Sequence, residues 1–237
     1  MYRQGTFVSY KKDMKKQLSE LVFILDKSGS MAGKEEDTIG SFNSTIKEHK
    51  KKENKVLVTT VLFSDDNKII HDRIDIKEVE LLNNKQYYVG GCTALVDAMG
   101  ETIEHIKGIH KYQKKEDIPA HTMFIIITDG LENASHKFSS DDVKKLVEQQ
   151  KETGWEFLFM GANIDAVETA KQFSIDESRA VNFINDKQGI KKAHNLGAKM
   201  SDCLFNKRIS EKIDVCEMMD LRQEVDEDYN KRKAHQH

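Results

Sequence analysis

No run of about 18 apolar residues occurs anywhere in the 237 residues, so no membrane-spanning helix is expected. Cysteine is scarce. Cys92, Cys203 and Cys216 are odd in number and lack metal-knuckle spacing, so they read as free thiols of a reducing compartment. A surplus of one charge sign is also missing: 37 lysines and arginines stand against 40 aspartates and glutamates, a formal net charge of −3. That balance excludes a general nucleic-acid binder, which needs excess positive charge to neutralise phosphates. Residues 1–20 carry lysines, but no apolar stretch follows them before the first strand pattern, so the secretory-signal pattern is absent. Proline occurs once, at Pro119, and no internal repeat is visible. These absences together point to a cytoplasmic protein, monomeric or weakly oligomeric, with neither nucleic acid nor membrane as partner.

What is present is concentrated. Hydrophobic residues make up only 38% of the chain, but they gather into short continuous runs separated by stretches of 3.6-residue period. Buried parallel strands read as continuous apolar runs, and the alternation with amphipathic helices predicts an α/β domain. The pattern predicts a Rossmann-like, three-layer arrangement, with a mostly parallel central sheet, helices on both faces and one antiparallel edge strand. Strands are expected at 20–26, 56–63, 68–76, around 123–128, 155–160 and 180–183. The turn Asp65-Asp66-Asn67 is short enough for a hairpin, which makes 68–76 the antiparallel edge. Helices are expected at 33–50, with Ile39, Phe42 and Ile46 inward, and from Thr93, with Leu95, Ala98, Met99, Ile103 and Ile106 on one stripe. Ser139 with Asp142 reads as a capping box opening a further helix to about Thr153. Asn163 is expected to begin a short helix, and 186–206 to form the last one of the domain. The chain divides into an N-terminal extension (1–18), a domain (19–206) and a charged tail (207–237), partly helical or disordered and frayed from Asp226 onward.

The chemistry sits at strand ends. The run Leu21-Val22-Phe23-Ile24-Leu25 empties into Asp26-Lys27-Ser28-Gly29-Ser30, one carboxylate and two hydroxyls spaced two apart. Thr93 follows Gly90-Gly91-Cys92 at a helix start, and Asp129 closes the run Met123-Phe124-Ile125-Ile126-Ile127-Thr128. In an open parallel sheet the carboxyl ends of neighbouring strands share one crevice. Three separate loops can therefore bring five oxygen-bearing side chains around one cation.

In these three segments the sequence resembles von Willebrand factor type A domains and their metal-ion-dependent adhesion site, a D-x-S-x-S string followed by a distant Thr and a distant Asp. Asp26, Ser28, Ser30, Thr93 and Asp129 match in identity and order, and the likeness runs from about residue 19 to about 206. The resemblance is to the intracellular bacterial and phage members. It implies Mg²⁺, or Mn²⁺ or Ca²⁺, with Ser28 and Ser30 as direct ligands and Thr93 direct or through water. Asp26 and Asp129 would then orient hydroxyls and water. It also implies a non-enzymatic binding module, in which a partner protein offers an Asp or Glu carboxylate to the open coordination position.

The same residues admit other readings. Ser30 and Thr93 also suit helix N-caps, and strand-ending Asp commonly satisfies turn N–H groups. That leaves a structural scaffold with a vestigial site as one alternative. A strand-terminal Asp26 admits a metal-dependent phosphohydrolase as another, although Ser28 stands where a second aspartate would serve as general acid. Gly29-Ser30-Met31-Ala32-Gly33-Lys34 is one residue short of a P-loop, and Glu35 follows the lysine. Cys92 is expected to be a small packed side chain, and Glu132 and Asn133 to serve the turn after Asp129. The nine histidines form no H-E-x-x-H pair, and the lysine groups Lys11-Lys12, Lys15-Lys16 and Lys50-Lys51-Lys52 read as solvated faces.

Overall fold

The computed structural model describes residues 17–209 and 211–234. The first sixteen residues of the expected extension, the lysines at 11, 12, 15 and 16, and His235 and His237 lie outside them. Six strands form one sheet: β1 (Leu18–Asp26), β2 (Lys55–Phe63), β3 (Asn67–Asp75), β4 (His121–Thr128), β5 (Glu156–Ala162) and β6 (Ala180–Phe183). Their order is β3-β2-β1-β4-β5-β6. All pairs are parallel except β2–β3, so the hairpin strand is the antiparallel edge that the short turn implies.

Helices α1 (Glu35–Lys50), α2 (Leu95–Tyr112), α3 (Ser140–Glu152), α4 (Ala166–Gln172), α5 (Lys187–Phe205) and α6 (Val215–Lys233) complete the chain. The period-2 alternation of β1 sorts the core into two halves. Leu21, Phe23 and Leu25 pack with residues of α1, α5 and α6; Val22 and Ile24 pack with those of α2, α3 and α4. Phe23 meets Phe42 of α1 edge to face, with ring centroids 5.1 Å apart. Both faces of β1 are therefore covered, which is why its sequence is an unbroken apolar run rather than an alternating one.

Local signals land where expected for α3, whose N-cap Ser139 and Asp142 make the reciprocal capping box. Two expectations are corrected. Asn163 does not begin α4; it takes a left-handed backbone (φ 57°), and Asp165 caps the helix by accepting from Val167 N and Glu168 N. The tail is more ordered than expected, because α6 runs on to Lys233 instead of fraying at Asp226. Its anchors are few, Met218 and Val225 being fully buried, and ion pairs do much of the holding: Lys207–Glu217, Lys199–Glu224, Lys192–Asp228 and Arg232–Asp186.

Two buried polar clusters lie away from the carboxyl edge of the sheet. Near the start of β1, the fully buried Glu20 has Arg73 Nη1 at 2.6 Å and His110 Nε2 at 2.7 Å. The Glu20–Arg73 pair is a close ionic contact rather than an aligned hydrogen bond. Arg73 reaches it from a β3 position with φ 52°, beside an irregularity in the β2–β3 register. Between α1 and α5, His49 Nε2 lies 3.0 Å from Ser201 Oγ, and His49 Nδ1 lies 3.6 Å from an Asp202 oxygen. Ser201 is at 0% exposure.

Candidate metal centre

Strands β1 and β4 run in register to Leu25 opposite Ile127, so Asp26 emerges level with Thr128 and Asp129 follows one residue on. Between these strands the chain order reverses, to β2 and β3 on one side and β5 and β6 on the other. In doubly wound sheets that reversal opens a crevice at the carboxyl ends. The spacing of D-x-S-x-S becomes geometry through a short 3₁₀ turn, Gly29–Met31, with Ser28 extended just before it. Asp26 Oδ1 accepts from Ser28 N at 2.7 Å, and Ser28 Oγ lies 2.9 Å from Ser30 Oγ. Ser30 Oγ in turn donates to Asp129 Oδ1. Asp26, Ser28, Thr93 and Asp129 are buried and Ser30 is exposed, so the cluster opens outward at Ser30.

Thr93 arrives on the loop before α2. Gly29 N donates to Gly91 O at 3.0 Å, which ties that loop to the D-x-S-x-S turn. Gly91 sits at φ +82°, and a Cβ there would fall 2.0 Å from Asp65 Oδ2, so both conformation and space require glycine. Gly130 is the close approach from the third loop: a Cβ on it would stand 2.9 Å from Thr93 Oγ1 and 3.4 Å from Ser30 Oγ. All five residues thus meet at one rim. Neither hydroxyl is spent on a helix cap. Ser30 lies inside the 3₁₀ turn, while α1 and α2 have Lys34 and Ala94 at their N-caps, without side-chain bonds.

Several contributors escaped the sequence reading. Thr128 donates its hydroxyl to Asp26 Oδ2 at 2.7 Å, Tyr87 donates to the Asp26 carbonyl at 2.5 Å, and Asn185 Nδ2 donates to Asp129 Oδ2 at 2.5 Å. Thr128 was within reach, being next to Asp129; Asn185 carries no local signal. Glu132 accepts from Ala134 N, Ser135 N and Val96 N, and Asn133 Oδ1 accepts from Thr93 N at 2.9 Å. These two residues serve the turn as expected, and they also lock the Thr93 loop onto it. Cys92 is a correction: it is exposed, not packed, and the neighbouring Asp65 carboxylate holds its thiol above the ordinary range.

The electrostatics of the rim are lopsided. Burial, and then the charge of Asp26, push the Asp129 carboxyl above the usual carboxylate range against the hydrogen bonds from Ser30 and Asn185. Among the described residues no ion pair reaches Asp26 or Asp129. Lys27, next in sequence to Asp26, sends its ammonium away to Ser64 at 2.8 Å and Asp66 at 2.9 Å. Nor do three His, Cys, Asp or Glu side chains gather into a metal-holding group among the described residues. Hydroxyls and two acids are what the rim offers, a donor set suited to a hard divalent ion with retained waters. The buried Asn185 Oδ1, on the amide that binds Asp129, has no hydrogen-bond partner.

A six-stranded, doubly wound sheet with hydroxyls and carboxylates converging at its switch point defines an open α/β domain. The family model for the von Willebrand factor type A domain matches residues 20–195, and the chain belongs to that family. No curated protein is found as a sequence relative. Solved structures with this fold include the vWF domain of the type V pili tip protein Mfa5 from Porphyromonas gingivalis, at 11% identity and TM-score 0.59, covering 81% of this chain and 97% of that one. The D319A mutant of the PilB minor pilin from Streptococcus sanguinis aligns at 9% identity and TM-score 0.57, covering 81% and 63%. Proximal thread matrix protein 1 from the mussel byssus, solved with a zinc-occupied MIDAS motif, aligns at 14% identity and TM-score 0.53, covering 78% and 46%. This chain therefore spans about half the length of the mussel protein. Among the described residues no helix is long and apolar enough to cross a membrane.

Proposed function

We propose that this chain is a non-catalytic, metal-dependent protein-binding module, in which a divalent cation at the rim accepts an Asp or Glu carboxylate from a partner protein. The observation that carries the reading is the uncompensated charge: two buried carboxylates close enough to repel one another have only neutral donors on their oxygens. Ser28 and Ser30 would hold the ion directly and Thr93 directly or through water, and Asp26 and Asp129 would orient hydroxyls and water. When bound, a hard ion with few anionic ligands supplies an electrophilic position for a carboxylate oxygen. Mg²⁺ or Mn²⁺ is the ion proposed; Ca²⁺ and the zinc seen in the mussel protein's motif are the alternatives. The phosphohydrolase reading gains nothing here, since both Asp26 oxygens already accept hydrogen bonds and the residue is buried. The free cysteines support a cytoplasmic setting.

The test is thermal unfolding with Mn²⁺, with Mg²⁺ and with EDTA. An ion that binds only the folded state adds about 2.7 kcal/mol at a hundredfold excess over Kd. Asp26→Ala and Thr93→Ala should each abolish that rise. Identical melting curves with metal and with EDTA would refute an occupied site.

A further inference from the structure

Asp129 is held by more than the three loops of the motif. Its outer oxygen accepts from Asn185, which lies in the β6–α5 connection, 56 residues further on. That connection is clamped on both sides of Asn185. Behind it, Gly189 packs so closely on Ile184 that a Cβ would fall 1.9 Å from the Ile184 carbonyl oxygen. Ahead of it, Asp186 caps α5 by accepting from Gly189 N at 2.9 Å. Arg232 of α6 forks the same carboxylate, Nη1 at 2.6 Å and Nη2 at 3.0 Å. The fork holds Asp186 below the usual carboxylate range. Asp228, one turn earlier on α6, braces Arg232 Nε at 3.2 Å and ties Lys192 and Gln188 of α5 at 3.1 and 2.6 Å. Helix α6 lies wholly beyond the segment the family model matches.

We propose that Asn185 is a positioning residue of the metal centre, and that α6 holds it there through the Arg232–Asp186 fork, so that metal affinity depends on α6 being docked. The inference rests on the metal-binding reading above. The neutral amide donates to Asp129 without neutralising it, which fixes the carboxylate with Oδ1 toward Ser30. A planar guanidinium fork fixes orientation as well as distance, so a point charge in its place would hold the loop less well.

The test is a Mn²⁺ titration of the full chain, followed by isothermal calorimetry. Asn185→Leu should weaken Mn²⁺ about tenfold, as losses of orienting partners around a metal commonly do. Arg232→Glu should weaken it about threefold. It should cost nothing further in the Asn185→Leu background, because both act through one contact. Lys107→Glu, which breaks an exposed pair with Glu104 on α2 and does not touch α6, should leave Kd unchanged. A purely structural α6 would lower the melting temperature of Arg232→Glu and leave its Kd at the wild-type value; that result overturns the inference. Absence of Mn²⁺ binding in the wild type would instead overturn the metal-site reading itself. Should Arg232→Glu not fold, hydrogen exchange on the wild type decides. Mn²⁺ should slow exchange in the last two turns of α6, and unchanged exchange there overturns the coupling.

Discussion

The two ends of strand β1 treat a buried carboxylate in opposite ways. At its start, Glu20 is fully buried and met from within the molecule by Arg73 and His110. At its end, Asp26 is equally buried, joins a second carboxylate at Asp129, and receives only backbone, hydroxyl and amide donors. One end is electrically closed and the other is left open. A fold that can neutralise a buried acid internally, as this one does at Glu20, omits to do so at its carboxyl edge, and that omission is what the proposed cation would make good. The difference separates a structural charge from a functional one more sharply than burial or residue type does.

Three experiments probe the contrast, beginning with the largest effect. Glu20→Ala strands Arg73 in the interior and should cost about 3–5 kcal/mol in denaturant unfolding. A loss under 1 kcal/mol would mean that the closed end is not closed. His194 offers a third case, a buried titratable group with neither cation, acid nor hydrogen-bond partner at either ring nitrogen among the described residues. Burial lowers its pKa to about 4. The unfolded chain therefore binds the extra proton between its ordinary value of 6.5 and about 4. Stability present above pH 6.5 should drain away on acidification across that window, by about 3 kcal/mol in all. His194→Leu should flatten that part of the pH–stability curve. The smallest effect belongs to the open end. In EDTA, Asp129→Asn relieves the repulsion with Asp26 and should lie within about 1 kcal/mol of wild type, on the stabilising side. A large loss there would show that the two acids are compensated after all.

Much of this was legible in advance because it is written locally. Strand and helix order follow from where apolar runs give way to 3.6-period stretches, and the Ser139–Asp142 box is a four-residue signal with its own geometry. The meeting of Asp26, Ser28, Ser30, Thr93 and Asp129 at one rim was legible for a similar reason: each of the three segments is a strand end or helix start that the topology must bring to the switch point. What escaped depends on contacts between distant segments. Asn185 earns its place only through Asp129, and Asn163 looks like a helix opener until Asp165 takes the cap. Helix α6 was underestimated because its sequence is mostly charge, and charge patterns do not reveal that Glu217, Glu224 and Asp228 each have a cation waiting on α5 or just beyond it. The exposure of Cys92 was not legible because thiol burial is a statistical habit, whereas here its backbone N–H is held by Asp65 with the side chain exposed.

The Ser201–His49–Asp202 line between α1 and α5 carries a warning for anyone who searches coordinates for hydrolases. Hydroxyl, imidazole and acid stand in the sequence expected of an acyl-transfer relay, yet the hydroxyl is sealed between two helices and also donates to the Ala198 carbonyl at 2.9 Å. No ester or amide could approach it without prising α5 from α1. There the familiar trio works as a rivet between two helices.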